Sequence, residues 1–387
     1  MYFVGIDISK FKHDCSVIDE LGDLVTPSWS FRNDCEGFSL FKEFLTNLGS
    51  DIKIGFESTG HYGQNLKLFL ASNSFSFMEF NPLLISRFVS SKSLRKTKTD
   101  SIDSLIIAQY LMTVEYKPYP ASFYHMDKLK SLTRFRDNLI RQRSRQLVDL
   151  TNVLDKLFPE FKPFFKNRFS ATSLYILSNY SSPEKISNMN IRSYEALRRL
   201  SRGRFAMSSF IQLKLLAKNT VGNCNEYLLQ EMEIILELYN QIDTKIQKID
   251  DQIMACINGI NPPILSIPGI GTLSAAVILS EYGDMNKFDS PAKLLSFAGL
   301  EPGYYQSGQS KHEGRMVKHG SSYLRYALMN CCLPLVTNEP VFAEYYAKKR
   351  AEGKPHRVAI THIAKKLLRV IFTLQTKNIT YDADLIR

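Results

Sequence analysis

The sequence predicts a mixed α/β domain at the N-terminus, then a long helical middle region, then a mainly helical C-terminal domain. Three observations carry this reading. Strand-like and helical patterns alternate up to about residue 115, after which strand patterns stop. An apolar seam with heptad steps runs over residues 228–256. Pro262 and Pro263 then end that helix, because two consecutive prolines cannot continue it. A chain of 387 residues is long enough for two or three domains with separate cores. We place the boundaries at 1–120, 121–261 and 262–387.

In the first domain Tyr2–Ile8 reads as a buried strand, and 13–18 and 25–31 follow as a hairpin-like meander around Leu21-Gly22-Asp23. Residues 38–48 have helical spacing, and Ile52–Glu57 is a strand closed by Ser58-Thr59-Gly60. Residues 62–70 read as helix, 75–80 as strand, and the pattern from Pro82 is helical again. In the middle region Leu147, Leu150, Leu154 and Leu157 form one apolar stripe. Leu228, Met232, Ile235, Tyr239, Ile242, Ile246, Ile249, Ile253 and Cys256 alternate steps of four and three. Such a seam serves either a long helix packed inside a bundle or a coiled coil between two chains. Residues 160–222 show no firm pattern. After the prolines, 272–281, 321–335 and 358–374 read as helices, and 298–310 as a loop-like stretch.

Composition narrows the function classes. The 49 Lys and Arg against 38 Asp and Glu leave a net charge of +11, which favours an anionic partner, nucleic acid above all. At 44% hydrophobic and 22% charged residues the chain is neither disordered nor a coiled-coil rod. Six cysteines without a CxxC pair argue against a disulfide scaffold and a structural zinc. The first apolar run contains Asp7 and has no basic segment before it, so it is not read as a signal peptide. The long uncharged stretch between Asp251 and Glu281 is broken by prolines and glycines, so no membrane span is expected. A reduced, cytoplasmic protein is the economical reading.

Four carboxylates stand out. Asp7 sits between Ile6 and Ile8 in an apolar strand, where an uncompensated charge costs several kcal/mol. Glu57 ends the next apolar strand, and Asp100 and Asp103 project from one face of a helix start. Carboxylates so arranged suit two-metal phosphoryl chemistry with Mg²⁺, whereas each alone also reads as a cap or strand terminus. Asp14, Asp19 and Asp23 are expected in hairpin or turn positions, facing solvent. Arg87, Lys92, Arg95, Lys96 and Lys98 precede the acidic pair with no acid among them. Arg134, Arg136, Arg141, Arg143 and Arg145 form a second basic cluster, opposed locally by Asp137 alone. Either run suits phosphate contact, and the first reads equally as a solvated helix face. In the third domain, residues 267–271 (Ile-Pro-Gly-Ile-Gly) read as a helix-hairpin-helix turn or as a plain connection between helices. Ser307, ahead of Gly308 and near Arg315, Lys318 and His319, is a candidate nucleophile or an ordinary polar turn residue.

Gly5-Ile-Asp-Ile-Ser-Lys10, Gly55-Phe-Glu-Ser-Thr-Gly60 and Lys98-Thr-Asp-Ser-Ile-Asp103 resemble the DEDD motifs of the IS one-ten (IS110) family of insertion-sequence transposases. Ile267-Pro-Gly-Ile-Gly271, Phe297-Ala-Gly-Leu300 and Gln306-Ser-Gly308 resemble the C-terminal transposase domain of that family. The resemblance implies a RuvC-like, RNase H-type first domain with Asp7, Glu57, Asp100 and Asp103 holding Mg²⁺. It implies that a C-terminal serine joins covalently to DNA, a role that falls to Ser307. Gln306 departs from the serine common there, and Ser310 lies close by. It further implies recombination of donor and target DNA guided by an element-encoded bridge RNA, and a middle segment that assembles a dimer or tetramer. Among nucleic-acid contacts we count Arg87, Lys92, Arg95, Lys96, Lys98, Arg141, Arg143, Arg145, Arg315 and Lys318. The alternatives are a junction-resolvase-like, metal-dependent endonuclease and a non-enzymatic nucleic-acid scaffold.

Overall fold

The computed structural model describes all residues except 93–99, 119–122, 308–309, 319 and 385–387; at 92, 100–101, 123–125, 302–307 and 310–315 it describes the backbone alone. The chain divides into two units, Met1–Tyr124 and His125–Arg387.

In the first unit the elements run β1 (Tyr2–Ile8), β2 (Lys12–Ile18), β3 (Leu24–Arg32), α1 (Cys35–Leu48), β4 (Ile52–Glu57), α2 (Gln64–Ser72), β5 (Phe77–Phe80), α3 (Pro82–Lys92) and α4 (Asp100–Thr113). The sheet order is β3-β2-β1-β4-β5. The first three strands form the expected antiparallel meander, and β4 and β5 join β1 in parallel through helical crossovers. Asp34 starts α1 by accepting a hydrogen bond from the Gly37 amide at 2.8 Å.

Both faces of β1 are covered, which explains why that strand reads as a continuous apolar run. Val4 and Ile6 lie with Phe41 and Leu45 of α1 and Leu66 and Leu70 of α2. Phe3 lies on the opposite face with Ile18, Phe80 and Ile107, Ala108 and Leu111 of α4. Asp7 is therefore a carboxylate on the α4 face of a doubly covered strand.

The second unit is mostly helical: α5 (Phe123–Leu157), α6 (Phe161–Phe164), α7 (Ala171–Asn179), α8 (Pro183–Ser187), α9 (Ile191–Leu200), α10 (Met207–Lys218), α11 (Glu226–Ile260), α12 (Thr272–Tyr282), α13 (Pro291–Ala298), α14 (Ser322–Asn338), α15 (Pro340–Ala351) and α16 (His356–Lys377). Helices α5 and α11 run antiparallel, tied by Arg136 to Asp250 and Arg143 to Asp243, seven residues apart on each helix. All nine seam residues of α11 are buried or half-buried, with Met232, Ile235, Ile246 and Ile253 fully so. The other five seam residues are half-buried.

The patternless stretch 160–222 resolves into short helices started by polar caps, with Ser170, Ser182 and Asn190 accepting from the amides three residues on. Helices of 4 to 12 residues complete too few turns to print a periodicity.

The loop expected at 298–310 is corrected. Strands β6 (Pro302–Ser307) and β7 (Ser310–Met316) pair as an antiparallel hairpin whose last partners are Ser307 and Ser310. Pro302 occupies the first strand position and the register slips between Pro302 and Tyr304, the places where a sheet tolerates Pro and Gly. The 267–271 turn serves packing: Gly269 has φ +87°, and a Cβ there would stand 3.1–3.2 Å from Pro334 and Leu335 of α14. The six cysteines are free. No helix among the described residues is long and apolar enough to cross a membrane.

Candidate active site

The site begins with two glycines. A Cβ on Gly5 would meet the Ser104 carbonyl oxygen at 2.2 Å and the Ala108 amide at 2.3 Å. On Gly55, beside Gly5 in the parallel register, it would meet Phe80 at 2.7 Å and Leu111 at 3.2 Å. This glycine pair lets α4 lie directly on β1 and β4. Side chains alternate along a strand, so Asp7 and Glu57, each two residues beyond its glycine, share that face. The paired register of β1 on β4 runs to Ile6 and Phe56, and one step further sets Asp7 beside Glu57. Neighbouring strands are about 4.8 Å apart, so the two carboxylates stand side by side.

Helix α4 runs antiparallel to β1. Its Met112 lies against Gly22 near the start of β1's partner hairpin, Leu111 against Gly55, and Ser104 over Gly5. Its first turn, Asp100 to Asp103, therefore points toward the strand end that bears Asp7. Ser104 fixes this placement: its hydroxyl meets Ser16 Oγ at 2.7 Å and Ser28 Oγ at 3.5 Å. Asp103 is half-buried; the Asp100 side chain lies outside the described residues.

Asp14 was expected to face solvent and does not. It lies in β2 directly opposite Asp7 and is 5% exposed. Residues directly across an antiparallel pair share a face, with Cβ atoms about 5 Å apart, where like charges repel. Lys12 Nζ stands 3.0 Å from Asp14 Oδ2, and Ser30 Oγ donates to Oδ1 at 2.5 Å. A signal for this was present: Asp7 and Asp14 are symmetric about the tight turn at 9–12. The expectation failed because α4 covers the meander face that otherwise would be wet. Asp19 and Asp23 do sit at the next turn, where Asp19 accepts from the amides of Leu21 and Asp23.

Asp14, Asp7 and Glu57 thus form a carboxylate row across three strands, with its ends about 10 Å apart. Among the described residues no three His, Cys, Asp or Glu side chains group tightly enough to hold one ion together. That spacing suits Mg²⁺ nonetheless, because this ion takes hard oxygen donors, often one or two carboxylates, and fills the rest with water and substrate phosphate.

The basic residues are placed as follows. Arg87 is exposed on α3, Lys92 ends that helix, and Arg95, Lys96 and Lys98 lie outside the described residues. The α5 arginines meet acids distant in sequence: Arg134 forks onto Glu281 at 2.8 and 3.1 Å, Arg136 onto Asp250, and Arg143 bonds Asp243. Burial pushes the Glu281 carboxyl up, but the Arg134 bonds and nearby Lys130 outweigh it and hold it below its ordinary value. Arg141 pairs with Asp137 at 2.7 Å, and Arg145 is exposed. The cluster therefore meets three acids beyond Asp137. In the second unit Ser307 ends β6, Arg315 lies in β7, and Lys318 is exposed with φ +55°.

Residues 4–159 match a DEDD-type IS110 transposase model, and 261–347 match one described as "Transposase IS116/IS110/IS902 family". The IS110 insertion-element protein of Streptomyces coelicolor is 22% identical over 98% of this chain and 95% of its own length. The mini-circle putative transposase for IS117, from the same organism, is 23% identical over 97% and 94%. The pilin gene-inverting protein of Moraxella bovis is 24% identical over 98% and 97%. Both models name one family, they fall in order at the two ends of the chain, and the relatives align over nearly its whole length; the chain belongs to the IS110 family of insertion-sequence transposases.

Proposed function

We propose that this chain recombines DNA with a RuvC-like, RNase H-type N-terminal unit and a serine nucleophile. In this reading Asp7, Glu57, Asp100 and Asp103 are Mg²⁺ ligands and Ser307 attacks the DNA. The observation that carries it is the placement of Asp7 beside Glu57, under the first turn of α4, on a sheet face opened by Gly5 and Gly55. Asp14 adds a third carboxylate to that row, and its bonds to Lys12 and Ser30 make it a positioning group for Asp7.

Bound Mg²⁺ supplies charge stabilisation of a phosphodiester in its transition state. The chain's own residues do the rest. The carboxylate row fixes where the scissile phosphate binds. The Ser307 hydroxyl oxygen forms a bond to phosphorus, its proton leaves to solvent or a base, and the P–O bond to the departing DNA hydroxyl breaks. The product is a phosphoserine ester. A second DNA hydroxyl then attacks that phosphorus and releases serine, so the bond count is conserved without a nucleotide cofactor. Donor and target DNA are the substrates, a structured bridge RNA supplies their choice, and the active form is a dimer or tetramer. The working parts are 1–120 for metal and phosphate, 121–261 for assembly and nucleic-acid contact, and 262–387 for the nucleophile.

The test is adduct trapping on element-end DNA with the full chain. A covalent protein–DNA species should form with the unaltered chain and with Ser310→Ala, and vanish with Ser307→Ala and Asp7→Ala. Strand cleavage without any adduct would favour the hydrolytic endonuclease; binding without cleavage would favour the scaffold.

A further inference from the structure

A third basic segment lies beyond the runs at 87–98 and 134–145. Between residues 340 and 377 there are nine lysines and arginines against two glutamates, a surplus of seven in a chain whose total is +11. That segment is α15 and α16, at and beyond the end of the second family match.

Helix α16 buries Ile363, Ala364, Leu367, Leu368, Ile371 and Leu374 in the C-terminal core. Lys366, Arg369, Thr373 and Lys377, at steps of three and four, share another face. They line a cavity of about 520 Å³, walled by Tyr345 of α15 and by Ile379, Thr380 and Asp382 after the helix. Among the described residues no salt bridge involves Lys366, Arg369 or Lys377, unlike the α5 arginines. Lys366 Nζ instead lies 5.4 Å from the Phe342 ring centroid and 5.2 Å from that of Tyr345. Burial lowers its affinity for the proton, and burial with the charge of Arg369 does the same for Lys365. Asp382 is the one acid in the lining, with Glu344 acting on Lys366 from α15.

From Lys366 to Lys377 the helix advances about 16 Å. A free phosphate is satisfied by one or two cations, so a row of this length with threonine hydroxyls beside it suits a chain of phosphates. We propose that this α15–α16 groove binds the phosphodiester backbone of a nucleic acid, gripped by Lys366, Arg369 and Lys377. It rests on the reading of the chain as a nucleic-acid enzyme, but not on that enzyme's chemistry.

The experiment measures affinity of the full chain for labelled element-end DNA duplex and for the transcribed noncoding RNA of the element, in EDTA, across salt concentrations. With K366Q/R369Q/K377Q the slope of log affinity against log salt should fall by about 2.7 for duplex DNA or about 2 for single-stranded RNA. The arm that falls identifies the source, and a fall in both assigns the groove to either backbone. R369Q alone, at an exposed position, should remove about 0.9 and guards against misfolding of the triple variant. K42Q/K293Q, exposed cations outside the groove and outside 121–261, should leave the slope nearer to that of the unaltered chain. Unchanged slopes in both arms, or an equal loss in the control variant, overturn the proposal. Failure of the recombinase reading shows separately, as absent adduct with salt slopes intact.

Discussion

Replacing Gly5 by alanine tests whether close seating of α4 builds the site. The added Cβ would stand 2.2 Å from the Ser104 carbonyl oxygen and 2.3 Å from the Ala108 amide, where ordinary contact begins near 3.4 Å. Both neighbours are backbone of one helix, so no side chain can swing away; α4 must retreat by about 1 Å. Overpacking of this kind costs about 1–3 kcal/mol, and the backbone contact puts Gly5→Ala near the upper end. A loss of about 3 kcal/mol should lower the melting transition of the first unit by roughly 10 °C. The retreat also lengthens the 2.7 Å Ser16–Ser104 contact and carries Asp103 away from Asp7. Differential scanning calorimetry and adduct formation are then measured on the same preparation. Gly259→Ala is the control: it lies inside α11 with nothing within 4 Å, so alanine should stabilise by about 0.5–1 kcal/mol. A Gly5→Ala chain that melts where the parent melts and still forms adduct would refute the seating of α4 on β1.

His13 is fully buried between Phe31 and Phe38, and burial pulls its pKa down to about 4, against weaker upward pulls from Asn33 and Asp14. The unfolded chain therefore binds the extra proton between pH 6.5 and about 4, so stability is complete above that window and falls as pH drops through it, by about 3 kcal/mol at the limit. His13→Phe should flatten this dependence in urea melts taken at pH 4.5 and 7. Arg134→Ala strands Glu281, whose side chain is 1% exposed, and should cost about 3 kcal/mol. Because Glu281 sits below its ordinary value, that contribution in the parent is present at neutral pH and lost as acid protonates it. The half-exposed Arg143–Asp243 pair should show a coupling of about 0.5–1 kcal/mol in a double-mutant cycle read by chemical denaturation.

The strands and long helices were legible because their patterns answer to burial alone. Tyr2–Ile8 and Ile52–Glu57 are mostly apolar because both faces are covered, and Asp7 stood out against that background. What failed depended on partners far along the chain. Asp14 reads as a hairpin carboxylate until α4, some ninety residues later, covers its face. The arginines of α5 looked uncompensated because Asp243, Asp250 and Glu281 lie 100 to 147 residues away. A heptad seam states that a face is apolar but not which helix fills it, and here α5 lies alongside. The α16 groove is not legible in the sequence because Lys366, Arg369 and Lys377 are spread over twelve residues and join only on the wound helix.

The carboxylate row also predicts a response of the first unit to divalent cations. Asp7 has Asp14 across one strand gap and Glu57 across the other, each roughly 5 Å away. Unit charges at that distance interact by about 3 kcal/mol at an effective dielectric of 20, and Lys12 and Ser30 offset part of this. Asp7→Asn should abolish recombination and remove the response of the melting point to Mg²⁺. Mg²⁺ should stabilise the parent by relieving the same repulsion: about 1.4 kcal/mol at ten times its dissociation constant, and nothing beyond the salt effect in Asp7→Asn. Calorimetry with Mg²⁺ against an equal ionic strength of NaCl separates the two. If the parent ignores Mg²⁺, the row is held by bonds of its own and does not serve as an ion site.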